Sequence, residues 1–553
     1  MPEKILIAVA WPYANGWLHI GHIAGCYLPA DIFARYHRLK GNSVLMVSGS
    51  DQHGTPVTIR ADQEGITPAE VVEKYHQSFL ETWDQLGISF DLFTKTSTLN
   101  HRETTHDIFN TLLQKGYIYK ESMAVPYCEQ DARFLPDRYV KGICPNCNNH
   151  DARGDQCDHC GHPMNASELG DLTCRLCKNK ISIRESEHCF LSLSKFENEL
   201  KQWLVDKDRW KPNVLNFTRK FLDSGLKDRA ITRDIQWGID VPIQGFENKR
   251  IYVWFEAVIG YLSASKEWSS NRGENDRWRE WWTNPDAKSY YFIGKDNIPF
   301  HSIIWPAILM GFSDLNLPHD IPANEFLTMQ GDQLSTSRNW AIWVPDFLER
   351  YEADPLRYYL SINMPETSDS DFTWGDFVRK NNDELVGTYG NLVNRVLTLI
   401  QKLEGGVIPS PKDNDTIDDE LVANINTSFE EAGQHLENCR FKQSIRTSMT
   451  LANAVNKYLE VKSPWKKEAR SVSTTLWTCS LALSALAIMT YPFLPFSAPK
   501  LFSMLGFKND IHTQGWNLPT PAPGTAIIQP SPLFKKLDEK VANEEIERML
   551  GKA

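Results

Sequence analysis

Two groups of residues in this 553-residue chain have types and spacing that could do chemistry. The first is His19-Ile20-Gly21-His22, which directly follows the turn Trp11-Pro12-Tyr13-Ala14-Asn15-Gly16. Imidazoles at i and i+3 project from one side of a helix start, and Gly21 allows close approach of a backbone or nucleotide. Helix N-terminal N–H groups favour phosphate, so this arrangement could stabilise charge on a phosphate under attack by a carboxylate. A chance His-x-x-His or a partial metal site would present the same four letters. The second group is Cys144-x-x-Cys147 and Cys157-x-x-Cys160. Four thiolates on two close pairs form a closed tetrahedral site with no open position, which suits structural zinc; iron would accept the same ligands.

The elements that must position these groups follow from periodicity. An apolar strand, 5–10, leads through the turn to a helix over about 21–39, and a second apolar strand follows at 43–48. This is a βαβ unit of a parallel sheet, whose ligands lie beyond the carboxyl ends of the strands. Helical periodicity fills 68–87 and 101–116. From about 117 to 187 the chain turns Cys-, Asp-, Asn- and Gly-rich, as in a small metal-stapled insert. Apolar strands return at 251–254 and 289–293. Beyond Asp383 the pattern is almost wholly helical, with breaks at Gly405-Gly406 and Ser463-Pro464, and a short terminal helix is expected over 533–550. No repeat of fixed period is present.

Composition sets the class. Hydrophobic residues make up 41%, with 18 Trp, 18 Tyr and 26 Phe, which is material for several cores and excludes global disorder. A net charge of −11 argues against indiscriminate nucleic-acid binding and leaves room for a local basic strip. The uncharged stretch 471–499 is interrupted by Pro492, Pro495 and Pro499 and reads as a buried bundle helix ending at Pro492. The opening Met1-Pro2-Glu3-Lys4 carries no secretory pattern, and seven of eleven cysteines cluster between Cys128 and Cys177. Together these suggest metal ligands in a cytoplasmic protein.

Several blocks in order resemble one family. The pair Pro12-Tyr13-Ala14-Asn15-Gly16 and His19-Ile20-Gly21-His22 resembles the first signature of class I aminoacyl-tRNA synthetases, and of the methionyl-tRNA synthetases among them. Asp51-Gln52-His53-Gly54-Thr55-Pro56, Phe134-Leu135-Pro136-Asp137-Arg138, Tyr252-Val253-Trp254, Phe292-Ile293-Gly294-Lys295-Asp296, Phe300-His301 and Trp305-Pro306 agree in order and spacing. The likeness extends from about residue 4 to past residue 500. It implies ATP-dependent activation of L-methionine and transfer to the 3′ end of tRNA(Met), for initiation and elongation.

The resemblance also assigns roles. It implies ATP binding at His19, Gly21, His22, Gly294, Asp296 and Thr336, with Mg2+ accompanying the nucleotide. Methionine would be held by Trp11, Tyr13, Trp254, Ala257, Tyr261, Phe300, His301 and Trp305, with Asp51 on its ammonium and Arg233 on its carboxylate. An aromatic, soft pocket suits a thioether. Trp11 stands where the best-known bacterial relatives have Leu, and Val258 where they have Pro. The second signature, Lys-Met-Ser-Lys-Ser, is here Gln333-Leu334-Ser335-Thr336-Ser337 followed by Arg338, so both lysines are missing. Loss of such a cation can cost on the order of 3 kcal/mol of transition-state stabilisation. Arg338 and Lys295 are the expected partial substitutes, with Ser335 and Ser337 holding the loop.

Cys128, Asp131, Cys174 and Cys177 stand where two-zinc relatives carry their second site, which makes a mixed site or an empty knuckle. Asn391, Arg395 and Trp465 match positions that read the anticodon CAU, and the segment 462–467 supplies basic character. The implied architecture is α/β: a Rossmann-type parallel sheet split by a zinc-knuckle insert, followed by an α-helical anticodon-binding bundle. Its parts are the catalytic halves 1–116 and 231–325, the insert 117–230, a mobile-loop and stem-contact segment 326–385, the bundle 386–532 and a terminal helix 533–553. The short insert disfavours synthetases for Leu, Ile or Val, which carry a large editing domain there; a Cys synthetase and a non-catalytic tRNA-binding relic are the other rivals. No appended oligonucleotide-binding module is seen, so a monomer is expected.

Overall fold

The computed structural model describes residues 2–135, 139–154, 157, 159–160, 164, 166–175, 177–335, 340–467 and 469–551. Five strands form the central sheet: β1 (Lys4–Val9), β2 (Ser43–Ser50), β3 (Leu92–Lys95), β4 (Lys288–Gly294) and β5 (Ala323–Asn324). Their order is β5-β4-β1-β2-β3 and every pairing is parallel. The order reverses between β1 and β4, so the crevice outside their carboxyl ends is the ligand position of this architecture. After Lys4, strand β1 is apolar because both of its faces are buried. Ile5, Ile7 and Val9 enter one core, while Leu6 and Ala8 enter the other.

The helix after β1 runs from Ile20 to Leu39, but its second stretch, Ile23–Tyr27, is a π-helical turn. The Leu28 N–H bonds to the Ile23 carbonyl, five residues back. The widened turn leaves the Ala24 carbonyl open to a donor, and Asn324 Nδ2 at the end of β5 supplies one at 2.9 Å. A second π turn, Phe300–Ile304, precedes helix Trp305–Phe312. Such turns mark functional sites in many helices, and both lie at the carboxyl edge of the sheet.

Between β3 and β4 the chain leaves the sheet as a long antiparallel ribbon, Ile118–Cys128 against Ser182–Leu191, with the cysteine knuckles at its far end. That end rests on helix Thr55–Glu64, where the Tyr139 hydroxyl reaches Thr58 Oγ1 at 2.8 Å. The expected strand over 251–254 is much shorter. It comprises Arg250–Ile251, and helix Val253–Asn271 already contains Trp254. Trp254 therefore points from a helix start, not from a sheet.

Helices Asn391–Leu403, Thr416–Glu437, Phe441–Lys462 and Val472–Thr490 build the carboxyl-terminal bundle. Val472–Thr490 is long and apolar enough to cross a membrane, but 83% of its most apolar window is buried against its neighbours. The terminal helix begins at Val541, not Leu533. Residues before it form an extended strap, because Asn381 and Asn382 bond to the Lys535 and Leu537 carbonyls.

The bundle joins the catalytic domain through a buried polar hub. The Arg357 guanidinium donates to the carbonyls of Leu86, Pro492 and Phe493 and to Asp31. Arg35 meets the same carboxylate at 2.9 Å and also the Tyr491 hydroxyl. Asp31 thus lies between two guanidiniums in the helix that begins at Ile20.

Candidate active site

His19 and His22 cap the start of that helix reciprocally. His19 Nδ1 accepts the Gly21 N–H, and His22 Nδ1 accepts the His19 N–H, each at 3.1 Å. With both Nδ1 atoms accepting, the proton of each neutral ring lies on Nε2. The rings stack at 3.7 Å between centroids. Burial holds the His19 imidazolium well below its usual range, aided by the neighbouring His22 charge, and burial alone lowers His22 to about 4. The pair is therefore two neutral N–H donors at a helix N-terminus beside the switch point, an arrangement suited to charge that develops on a phosphoryl group.

The base of the second signature loop is fastened to this motif. Val344 N–H bonds to the Leu18 carbonyl and Ile20 N–H to the Ile342 carbonyl. Ser335 and Trp340 exchange two backbone hydrogen bonds of 2.9 Å. A methyl group at Gly21 would stand 2.6 Å from Leu334 Cδ1, so glycine lets the loop lie on the histidine turn. Thr336, Ser337 and Arg338 lie outside the described residues. Gly294 ends β4, and Asp296 Oδ1 curls back toward it. Lys295 Nζ is held by Glu325 at 2.8 Å and Asp369 at 2.7 Å. Its single charge is thereby more than offset by two carboxylates, and contact with a phosphate would require exchange of these partners.

The predicted amino-acid pocket assembles around the start of helix Val253–Asn271. Trp254 Nε1 donates to the Tyr13 hydroxyl at 2.9 Å, and Phe300 meets the Trp254 ring edge-on at 3.9 Å. His301 Nδ1 donates to the Asn297 carbonyl, so its Nε2 accepts the Tyr261 hydroxyl proton at 2.7 Å. Ala257 is half-buried one turn before Tyr261. Asp51 is buried near Tyr13, with which it forms a parallel bridge. The Arg233 guanidinium stacks 3.8 Å over Tyr252 and donates to the carbonyls of Ala230 and Thr232. An apolar cleft open to solvent, with about 810 Å³ of space, adjoins this group and is lined by Arg233, Trp254 and Phe300 with Ile231, Phe221 and Ile304. Trp305 lies deeper: it is fully buried, and its Nε1 donates to the Tyr291 hydroxyl behind His301.

Trp11 has a seat that sequence reading missed. A methyl group would come within 2.1 Å of its ring from Gly49 and within 2.7 Å from Gly260. Two glycines from β2 and helix Val253–Asn271 therefore make room for an indole. Val258, at the other departure, is buried core. Sequence reading also missed Glu256, His53 and His101, which form a buried chain next to Asp51. His53 stood inside a recognised block, whereas His101 looked like an ordinary helix-start residue.

The cysteines fall into two four-ligand sets, each with its ligand atoms within 4.8 Å of one another. Cys144–Cys160 and Cys147–Cys157 are separated by 3.8 and 3.7 Å between sulfurs. Tetrahedral zinc with bonds of about 2.3 Å requires about 3.8 Å, so the set fits the ion. The mixed set is tighter, with Asp131 Oδ2 at 3.1 Å from Cys128 and 3.4 Å from Cys174, and Cys128–Cys177 at 3.5 Å. Three knuckles share one backbone signature. The residue after the second ligand is left-handed at Ala132, Asn148 and Lys178, with φ of 48°, 57° and 62°. Cys128-x-x-Asp131 is thus folded as a knuckle, with Asp131 in the second ligand position. The solitary Cys26, Cys189, Cys439 and Cys479 are all buried.

At the far end of the bundle Arg395 stacks 4.4 Å over Trp465, which is 40% exposed, and pairs with Glu460. Asn391 lies one turn earlier on the same helix and is exposed. The basic strip is weaker than its letters suggest, because Lys462 is paired with both Asp415 and Asp418 at 2.7 Å.

Comparison with known proteins places this geometry in a family. Residues 5–397 match the family model "tRNA synthetases class I (M)", and residues 418–550 match "Anticodon-binding domain of tRNA ligase". The chain is 54% identical to a methionine–tRNA ligase of Dehalococcoides mccartyi, covering 99% of this chain and all of the relative. It is 50% identical to that of Thermomicrobium roseum, covering both chains fully. Among solved structures it resembles Mycobacterium tuberculosis methionyl-tRNA synthetase bound by methionyl-adenylate. That likeness has a TM-score of 0.80 at 25% identity, covering 96% of this chain and 100% of the other. The chain belongs to the class I tRNA synthetases of the methionine type, the methionine–tRNA ligases.

Proposed function

We propose that this chain activates L-methionine with ATP to methionyl-adenylate and transfers the methionyl group to the 3′ end of tRNA(Met), for initiation and elongation. The observation that carries the reading is the stacked His19–His22 pair, its Nε2–H donors fixed by reciprocal capping, at the switch point of the sheet. In the first step a methionine carboxylate oxygen attacks the α-phosphorus and pyrophosphate leaves. His19 and His22 stabilise charge on the α-phosphate oxygens, and the Gly294-Lys295-Asp296 edge faces the nucleotide. Asp51 takes the ammonium, Arg233 the carboxylate, and Trp11, Tyr13, Trp254, Ala257, Tyr261, Phe300 and His301 surround the thioether. In the second step a terminal ribose hydroxyl of tRNA attacks the acyl carbon and AMP leaves. Both steps run on positioning and electrostatics, without a covalent enzyme intermediate. Mg2+ arriving with ATP would offset phosphate charge.

Zinc at Cys144, Cys147, Cys157 and Cys160, with a second ion at Cys128, Asp131, Cys174 and Cys177, would be structural. Asn391, Arg395 and Trp465 would read the unpaired CAU bases by hydrogen bonding and stacking. The protein is read as a cytoplasmic monomer. The test is methionylation of a tRNA transcript with the CAU anticodon beside one altered at a single anticodon base. Charging of the first and marked loss with the second supports the reading. Equal charging, or none from folded, zinc-loaded protein, overturns the anticodon assignment or the activity respectively.

A further inference from the structure

Beneath the amino-acid pocket lies a buried polar chain that the reaction scheme above leaves unused. Glu256 is fully buried in helix Val253–Asn271. Its Oε1 lies 2.8 Å from His53 Nδ1, and its Oε2 lies 2.9 Å from His101 Nε2. His101 Nδ1 reaches Ser263 Oγ at 2.8 Å, and that hydroxyl donates to the Gly260 carbonyl at 3.0 Å. Ser263 has given its one proton to Gly260, so it accepts from His101 Nδ1–H. A single further proton then lies between Nε2 and the carboxylate. Whichever atom holds it, Glu256 and His101 together carry no net charge.

This pair abuts the residue assigned to the substrate ammonium. The His53 backbone N–H donates to Asp51 Oδ1 at 3.2 Å while its ring holds Glu256, so one residue touches both carboxylates. Burial, and then the charge of Glu256, push the Asp51 carboxyl well above the usual range. Burial pushes Glu256 up as well, but His53 and His101 outweigh it. Among the described residues, two further titratable groups on this helix bear on the site: Tyr261, a little over one turn beyond Glu256 and within the field of Asp51, and Glu267, held by Thr94 of β3 and within the field of His101.

We propose that Glu256 and His101 are positioning residues that share one buried proton and thereby limit how strongly Glu256 opposes ionisation of Asp51 when Asp51 receives the ammonium of the amino acid. The inference rests on the reading of Asp51 given above. If His101 cannot supply the proton, Glu256 stands as an uncompensated charge beside Asp51, and the Asp51 carboxyl, already held up by burial, resists ionisation more strongly. Methionine binding then has to displace a proton from the pocket, so it improves as pH rises.

The experiment measures methionine KM and ATP KM by ATP–pyrophosphate exchange from about pH 6 to pH 8, with thermal melts verifying the fold. His101→Asn is expected to raise methionine KM about tenfold at pH 7, with ATP KM unchanged and the defect narrowing as pH rises. Adding Glu256→Gln to it removes the uncompensated charge and returns KM toward the wild-type value. His101→Gln paired with Glu256→Gln serves as a second set should the asparagine variant not fold. A methionine KM that stays raised in the double variants, or a defect independent of pH, overturns the proposal. Asp51→Asn separates the two layers. If it leaves methionine KM unchanged, the reading of Asp51 fails and the proposal falls with it. If it impairs binding while the double variants are not rescued, the proton-sharing inference alone is wrong.

Discussion

At the residue scale, the site works by fixing protons as much as by placing atoms. His19 and His22 are donors because each spends Nδ1 on a backbone N–H. Replacing His22 by Ala removes one donor and the His19 cap together, and is expected to lower the exchange rate about 10²- to 10³-fold at saturating substrates. A rate within threefold of wild type would contradict the role. Burial lowers His22, His37, His76, His301 and His319 to about 4 in the folded chain, against an ordinary value of 6.5. The unfolded chain binds protons at pH values where the native one cannot. Their contribution to stability is therefore present above 6.5 and is lost as pH falls from 6.5 through about 4. The urea midpoint should decline across that window; a constant midpoint would refute the burial account. The aromatic residues that gather around the start of helix Val253–Asn271 and the histidine motif were legible in the sequence. The glycine seat of Trp11 was not, because Gly49 and Gly260 have no side chains to announce a contact made across the fold. Gly260→Ala, whose methyl would meet only the Trp11 ring, should therefore raise methionine KM by overpacking, a cost of about 1–3 kcal/mol, and Trp11→Leu in the same chain should relieve it.

At the element scale, strands β1, β2 and β4 and the long helices followed from apolar runs and period. The π turns at the carboxyl edge of the sheet did not, because an apolar helical run reads alike with either turn width, although both run directly into a proline without an N–H, Pro29 and Pro306. The strand expected over 251–254 failed for a similar reason: an apolar run beside a helix start reads alike in both states. The knuckles show the reverse case. Asp131 breaks the cysteine pattern in the letters, yet Ala132 has the same left-handed turn as Asn148 and Lys178. Metal analysis of the purified chain should give about two zinc ions, and Asp131→Ala should lose about one while Cys144→Ser loses the other. A content of one ion, unchanged by Asp131→Ala, would show the mixed knuckle empty.

At the scale of the whole molecule, the catalytic and anticodon ends share a core and the Asp31–Arg35–Arg357 hub. Asp31 and Arg357 are 326 positions apart, and both are fully buried. Nothing local in the sequence marks such a pair, just as nothing local showed that Asp415 and Asp418 would occupy Lys462. Arg357→Ala leaves Asp31 with Arg35 and the Ser89 N–H and hydroxyl, strips one of its two guanidiniums and removes the side-chain donor from three carbonyls, and should cost about 3–5 kcal/mol in denaturant titrations. A loss under about 1 kcal/mol would mean the hub is solvated.

The central claim is that this scaffold, without either lysine of the second signature, still activates methionine. Methionine-dependent ATP–pyrophosphate exchange on the purified, zinc-loaded chain tests it most directly, with leucine, isoleucine and cysteine as controls. The account predicts exchange with methionine and none with the controls. Absence of exchange with methionine from folded protein would contradict it, and would leave a tRNA-binding scaffold that has lost its chemistry.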